Sequence, residues 1–567
     1  MASQRHATGA ADGEDAVEAV LSQVNAPHQP RHLLCSLSRL AFGVRPVPAR
    51  PEYAIDKEPC VPVRFLDGHQ ESLGLRDVLL RAHEIEDLAL PLPPAASALL
   101  RVLIATTARV TGLDDPEMSA GEWTARRRLL LQEPGGFDSV RVHDYFDAFI
   151  WDLFHRKRPY LQDPRLAAQW ERRAGVNTLV FGRPAGNNLA WLSAHSDMNP
   201  VPVPCPQALW HLLAQHYYGA AGTCSKRTLN GRSSIIGKAG PLRSTVSFHS
   251  LGRTLYETLL AGMPKFTGDW NDADDLCPWE EPELPDPLGP LPPVTWPGRL
   301  LTGRSRHAIL FVPTPDGKAV ADAYLTWASQ EPKLPAFDPY LIHDVDPKKP
   351  VPRRITARPA NADRAVWRDL DALLLAGDET STTMRPVAFH TLNDLPRDLR
   401  ATLRVRVHGF DQDRETNNRT WYTALTPPIW PWTQEHDPAK AQRIAECRTA
   451  AEDIGTLLAA KAAEAWRETI TPSTARSTRP PRKAPKRLCS WTIQAGAAYW
   501  PRAETTFWRL IEEPETPARR AFATDAAAAL REVTRPAIVQ YRRAAPAVAR
   551  AAAALFHEPG RRRPRAA

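Results

Sequence analysis

Long apolar runs, paired cysteines and a secretory leader are missing from this chain of 567 residues. No stretch of about 18 apolar residues occurs, so no membrane-spanning helix is expected. The opening segment, "MASQRHATGAADGEDAVEAV", lacks the apolar core of a signal peptide. The 7 cysteines (35, 60, 205, 224, 277, 447 and 489) are scattered and form no C-x-x-C pair. That excludes a zinc ribbon and a disulfide framework and points to a reducing, cytoplasmic setting. Signatures of catalysis are scarce as well. There is no G-x-S-x-G elbow. "GRSSIIGKAG" (231–240) imitates a phosphate loop but fails, because one residue too many separates Gly231 from Gly237 and Ala239 stands where a hydroxyl must hold magnesium. No internal repeat is evident.

Proline is abundant, at 55 residues, which limits long helices in the middle of the chain. Lysine and arginine total 72 against 64 acidic residues, a net charge of +8 that suits a polyanionic partner without demanding one. A chain of this length and 43% hydrophobic content predicts more than one packed unit.

The expected fold class is α+β: a large mixed body followed by a C-terminal four-helix bundle. Residues 1–50 read as a disordered extension, 51–432 as the body, 433–560 as the bundle and 561–567 as a basic tail. Alternation in "CVPVRF" predicts a strand, Asp67-Gly68 a hairpin turn, and the following residues a second strand. "LRDVLLRAHEIEDLAL", "PPAASALLRVLIATTARVTGL", "VHDYFDAFIWDLFH", "CPQALWHLLAQHYYG" and "HSLGRTLYETLLAG" read as helices. "HAILFVPTPDG" reads as a strand and turn, and "RATLRVRVHGFDQDRETNNRTWYTAL" as strand, polar loop and strand. In "RIAECRTAAEDIGTLLAAKAAEAW", Ile454, Leu457, Leu458 and Ala465 fall on one helical stripe; further helices are expected near 500–512, 517–534 and 536–557.

Two chemistries compete for the function. His-Asp pairs occur at 143–144, 343–344 and 436–437, and a metal-dependent phosphohydrolase would use His343-Asp344 with His195 and Asp197. Isolated dipeptides are also what chance supplies. Nucleic-acid binding has the stronger signals. The glycine- and serine-rich stretch around Lys226, Arg227, Arg232 and Lys238 would let backbone approach a sugar-phosphate surface. Further cations cluster at Lys348 and Lys349, and at Arg482, Lys483, Lys486 and Arg487. Each cluster is equally compatible with a solvated face.

The ordered motifs "VPVRFLDG", "RPYLQD", "GVNTLVFGRPAGNN", "YYGAAGT" and "HGFDQD", spread over about 56–555, make the sequence resemble the CasA family, the large subunit of the type I-E CRISPR surveillance complex Cascade. One departure is Cys60, where the family usually has tryptophan. The resemblance implies a non-catalytic module without cofactor or metal. Such a module reads a protospacer-adjacent motif from the minor groove of target DNA and starts strand separation. The implied partners are duplex DNA, the guide RNA, the backbone, small and 5′-handle-binding subunits, and a recruited helicase-nuclease.

By position, the family's glycine loop falls on Gly219, Ala220, Ala221 and Gly222, its lysine finger on Lys333, and its glutamine wedge on Gln412 with Asp413 and Arg414 beside it. A subunit-docking loop led by Phe181 would comprise Gly182, Arg183, Asn187 and Asn188. Lys226, Arg227, Lys348, Lys349 and the 482–487 cations would contact the displaced strand or backbone. Competing readings are a core aromatic for Phe181, a plain polar turn for Gln412 and a solvated lysine for Lys333.

Overall fold

The computed structural model describes residues 51–169, 173–185, 193–265, 275–290, 292–303, 305–330, 338–350, 354–375, 382–413, 416–470 and 489–557. Segments 1–50 and 561–567, expected as extension and tail, lie outside these residues.

Val61–Phe65 alternates buried and half-buried side chains and forms the centre of a three-stranded sheet. Gln70–Leu73 pairs on one side across the Asp67-Gly68 turn, and Ile85–Leu88 on the other. The second pairing overturns an expected helix. "LRDVLLRAHEIEDLAL" is helical only over Leu75–Leu80, because Ile85 and Leu88 take register opposite Phe65 and Val63. Tertiary pairing here outweighs helical periodicity.

Helix Pro93–Thr111 is the axis of the body. Two prolines start it, where no backbone donor is lost, and every residue except Arg109 is buried. A buried arginine needs a fixed counter-charge, and Arg101 finds one in Asp338, with Nε and Nη2 each donating at 2.8 Å. Helices Cys205–Tyr218, Leu255–Ala261 and Ser139–Ala148 pack on this axis, as does strand Arg404–Asp413. The aromatic helix expected through His155 stops at Ala148. Beyond it the backbone is tied to residues 53–55, Ile55 donating to the Trp151 carbonyl and Leu153 to that of Tyr53.

Arg404–Asp413 runs antiparallel between Val246–Leu251 and Asn417–Leu425. Ala319–Trp327 lies between His307–Pro313 and the short strand Val203–Pro204. The glycine- and serine-rich stretch around Lys226 to Lys238 forms a hairpin, Gly222–Leu229 paired with Arg232–Gly237. Asn230 and Gly231 turn it with φ of 47° and 78°. Positive φ at both central residues matches the right-handed twist of paired strands, which is why Asn-Gly is a strong hairpin signal.

Among the described residues, four helices follow one another after the body: Pro438–Ile470, Ser490–Glu512, Ala518–Gln540 and Ala544–Ala554. The first packs on each of the other three. Its buried stripe, Ala441, Ile444, Cys447, Ala451, Ile454 and Leu458, keeps helical spacing. The second helix begins well before the expected position and runs through Pro501, and the third runs through Pro536. Trp491, Ala495, Tyr499, Ala503 and Phe507 carry an unbroken buried stripe across Pro501. The helices are fastened to the body at Trp367, which packs against Phe507 with ring centroids 4.7 Å apart. Beside it Glu452 accepts from Arg364 and Arg368.

Candidate nucleic-acid interface

Helix Cys205–Tyr218 delivers the chain to a tight corner at Gly219. A Cβ at Gly219 would stand 2.5 Å from the Gln215 carbonyl oxygen and 2.5 Å from the His307 ring, so only glycine fits. Gly240 comes up behind it and donates to the Gly219 carbonyl at 2.9 Å; a Cβ there would meet the Tyr217 carbonyl oxygen at 2.5 Å. Gly222, at φ +134°, has open space where a side chain would be. Gly219 is buried, and the half-buried backbone of Ala220, Ala221 and Gly222 forms the outer edge of the corner.

His307 supports the corner from below. Its Nε2 lies 3.1 Å from the Ala220 carbonyl oxygen, which can only accept, so Nε2 carries the proton. Burial lowers the His307 pKa to about 4; the Ala220 bond opposes this, and Arg243 and Arg306 reinforce it. The ring is therefore neutral near pH 7, and the corner rests on a fixed dipole.

Strand Arg404–Asp413 ends against the same corner. The Gln412 side chain is buried. Its Nε2 donates to the Tyr218 carbonyl at 3.2 Å and to Asn418 Oδ1 at 2.8 Å, and its Oε1 accepts from the Ser244 amide at 2.9 Å. Arg243 doubles the bridge, with Nη1 donating to the Tyr218 carbonyl at 3.0 Å and to Asn418 Oδ1 at 2.7 Å, and Nη2 to the Asn417 carbonyl at 3.0 Å. The last residue of the helix and both strands of the 404–425 hairpin thus share one hydrogen-bond network. The glycine corner and the hairpin end are neighbours although the Gln412–Tyr218 bond joins residues 194 positions apart in sequence.

Gln412 does not project as an exposed, prying side chain; it is an internal brace, because three polar partners converge where it enters the corner. Asp413 is half-buried at the strand end, 3.7 Å from Arg419, and Arg414 lies outside the described residues.

Phe181 is corrected in the same sense. It sits 8% exposed, edge-on to Phe410 at 5.4 Å and 84°, in a slot that also contains His211. It is a core aromatic, since helix Cys205–Tyr218 and strand Arg404–Asp413 already form an apolar cleft there. Tyr218 also reaches Phe410, at 6.0 Å, so the three motif-bearing segments meet at one aromatic cluster. Gly182 is exposed, while Arg183 turns inward to the Val201 carbonyl at 2.6 Å. Asn187, Asn188 and Lys333 lie outside the described residues.

Of the cations, Lys226 and Arg232 are exposed on the 222–237 hairpin, and Lys238 is half-buried at its base. Arg227 is not available to a phosphate. Only 1% of it is exposed, and it donates to Asp163 at 2.7 Å, to Gln169 and to the Trp327 carbonyl, pinning the hairpin to the neighbouring sheet. The bulge between Thr223 and Arg227 turns this side chain inward. Lys348 and Lys349 are exposed, Lys349 pairing with Asp346 at 3.3 Å. Arg482, Lys483, Lys486 and Arg487 lie outside the described residues.

The metal-site grouping is not assembled. His343 is buried, Asp344 is held by Arg358 at 2.6 Å, and Asp197 accepts from Asn177 at 2.8 Å. Among the described residues no three His, Cys, Asp or Glu side chains are placed to hold a metal ion. Nor is any described helix long and apolar enough to cross a membrane.

Sequence reasoning missed Arg243, Ser244, Asn418 and His307. Asn417-Asn418 was visible as a polar turn, but nothing in "PLRST" marks Arg243 as a partner of a hairpin far along the chain.

The glycine corner and the hairpin end are thus locked together on one mixed scaffold, and comparison with known proteins assigns that scaffold to a family. The family model for CRISPR-associated protein Cse1 matches residues 57–541. CRISPR-associated protein CasA/Cse1 of Thermus thermophilus is 26% identical over 405 residues, 69% of this chain and 74% of that protein. A chain in a solved CRISPR RNA-guided surveillance complex is 38% identical, with a TM-score of 0.77 over 89% of this chain and 100% of that one. Thermobifida fusca Cse1 shares the fold at 19% identity, with a TM-score of 0.66 over 89% of this chain and 98% of that one. The chain belongs to the Cse1 (CasA) family of CRISPR-associated proteins, the large-subunit family of CRISPR surveillance complexes.

Proposed function

We propose that this chain works without catalysis of its own inside a cytoplasmic, RNA-guided surveillance complex, reading a short motif beside the target in duplex DNA and beginning strand separation. The observation that carries this reading is the network joining the glycine corner to the hairpin end through Gln412, Arg243 and Asn418. The minor groove is narrow and offers adenine N3, thymine O2 and the guanine amine. Thin backbone at Ala220, Ala221 and Gly222 suits that space, and a carbonyl there can accept from the guanine amine. Separating strands costs a few kcal/mol per unstacked step, so the prying element must be rigid relative to the reading element. The brace supplies that rigidity. In this reading the hairpin tip beyond Gln412, which carries Asp413 and Arg414, does the prying, and Lys333 supplies the groove-contacting cation.

Base pairing to guide RNA reads the rest of the target. Lys226, Lys348, Lys349 and the 482–487 cations hold phosphates of the displaced strand. The loop from Gly182 to Asn188 docks on the guide-bearing subunits, with Phe181 anchoring it from inside. The backbone, small and 5′-handle-binding subunits and a recruited helicase-nuclease complete the partners.

The test uses the assembled complex on duplexes with and without the motif. Gly222→Ala, which strains a positive-φ position, is expected to leave assembly intact, weaken motif-dependent binding about tenfold or more, and reduce permanganate reactivity next to the motif. Unchanged reactivity would remove the corner from the reading. The purified chain with manganese is expected to leave DNA uncut; cleavage abolished by a chelator would favour the phosphohydrolase alternative.

A further inference from the structure

The segment "RPYLQD" (158–163) takes no direct part in the proposed DNA contacts, yet it is strained. Leu161 has φ of 53°. A bulky residue seldom adopts this left-handed conformation. Such strain persists only where the surroundings enforce it, and it gathers at functional places. Among the described residues three non-glycine positions have positive φ: Leu161, Asn230 and Ser244. Asn230 turns the 222–237 hairpin, and Ser244 gives its amide to Gln412. The use of the strain at Leu161 lies further off.

The Leu161 carbonyl accepts from His216 Nε2 at 2.7 Å. A carbonyl can only accept, so Nε2 carries the proton, and Nδ1 accepts from Ser305 Oγ at 2.5 Å. Ser305 Oγ accepts in turn from the His307 amide at 3.3 Å, and His307 Nε2 donates to the Ala220 carbonyl at 3.1 Å. One chain of hydrogen bonds thus runs from Leu161 to the inner side of the glycine corner. Two residues on, Asp163 serves the outer side. Its carboxylate accepts from Arg227 Nη2 at 2.7 Å, and Arg227 belongs to the strand that begins at Gly222. Between them Gln162 is buried, its Oε1 accepting from the Phe311 amide at 2.7 Å, while the Asp163 amide donates to the Ile309 carbonyl at 2.9 Å. Ile309 and Phe311 lie on the strand that opens with His307. The left-handed residue bends the chain so that a carbonyl at 161 and a carboxylate at 163 serve partners on two different elements.

We propose that the 161–163 turn is a positioning device for the glycine corner, setting residues 220–222 from both sides, with Leu161, Asp163 and Arg227 as positioning residues for motif reading. The inference rests on the proposed reading of DNA by that corner. The hairpin has other ties, Thr326 Oγ1 donating to the Ser225 carbonyl at 2.7 Å and Trp327 Nε1 to that of Ser234 at 3.1 Å. Weakening the Arg227 fork should therefore shift the hairpin without releasing it.

The test has two readouts. One is amide exchange over residues 219–224 of the isolated chain. The other is motif selectivity of the assembled complex, the ratio of its affinities for duplexes with and without the motif. Arg227→Lys keeps the charge but loses the planar fork that reaches three partners. Ser305→Ala breaks the inner chain. Leu161→Val disfavours the left-handed backbone, whereas Leu161→Asn tolerates it. The first three variants are each expected to speed exchange and to lower selectivity about fivefold, the worth of one hydrogen bond. Leu161→Asn should stay within about twofold of the parent in both, because backbone conformation and not the apolar side chain matters here. A merely structural role predicts the opposite order, since asparagine loses more apolar contact than valine. Asp163→Asn added to Arg227→Lys should lower selectivity no further, as both act through one contact. Parent-like behaviour of Arg227→Lys, Ser305→Ala and Leu161→Val overturns the proposal, and so does a Leu161→Asn variant as impaired as Leu161→Val. Faster exchange with intact selectivity also overturns it. If Gly222→Ala lowers selectivity in that same experiment, the corner still reads DNA and the positioning role alone falls; if Gly222→Ala is silent too, both fall.

Discussion

Gln412 has partners on three segments, at Tyr218, Ser244 and Asn418. Truncating it leaves a buried amide and a buried carbonyl without this partner, so Gln412→Ala should destabilise the chain by about 1–3 kcal/mol. The denaturation midpoint of the isolated chain measures this; a side chain exposed for prying would leave the midpoint unmoved. The histidines around the corner make a second residue-scale prediction. Burial lowers the pKa of His307, His216 and His211 to about 4 each. In the unfolded chain they return to about 6.5. The unfolded state therefore binds more protons between these values, and stability, full above about pH 6.5, falls as pH drops toward 4. Each histidine contributes up to about 3 kcal/mol to that fall, at about 1.4 kcal/mol per pKa unit. Melting temperature followed from pH 7 to 4 should show the decline, and His307→Gln should make it shallower.

Among the elements, the 222–237 hairpin depends on an Asn-Gly turn with Gly231 at φ 78°. Gly231→Val should destabilise the hairpin by about 1–2 kcal/mol, seen as faster amide exchange over residues 222–237 with the rest of the body unchanged. The signal was present in "LNGR", yet surrounding serines and cations read as loop, and a short two-stranded ribbon has too few apolar positions to display alternation. Where local and tertiary preferences agree, as in "PPAASALLRVLIATTARVT" or the alternating "VPVRF", the element was legible. Where a distant strand decides, as at Ile85–Leu88, it was not. Phe181 illustrates the same limit: glycine and proline after it announce a loop, but the cleft that swallows it is built by segments around 211 and 410. The end of helix Cys205–Tyr218 was legible in Gly219, where a close backbone approach leaves glycine as its trace. Its Arg243 brace leaves none.

For the whole molecule, one carboxylate helps anchor the C-terminal helices to the body, beside the Trp367–Phe507 packing and the Arg448–Asp371 pair at 2.5 Å. Glu452 takes a two-point contact from Arg368 at 2.8 and 2.9 Å and a third bond from Arg364 at 2.8 Å, while the Arg368 guanidinium lies 3.5 Å over the Trp500 ring. Removing Glu452 leaves the partly buried Arg368 without its carboxylate, while Arg364 keeps Asp369 at 2.9 Å. Glu452→Ala should therefore lower stability by about 2–3 kcal/mol, with limited proteolysis cutting first in the C-terminal helices; a uniform loss of resistance along the chain would count against a localised attachment.

On the proposed reading, in which the corner reads DNA, the shared network at Tyr218, Gln412 and Asn418 has a practical corollary for retargeting. Swapping residues 219–222 alone from a relative would leave the new segment seated on foreign supports. A workable transplant has to move as a cassette: the corner, the Gly240–Ser244 backing and the matching hairpin base together.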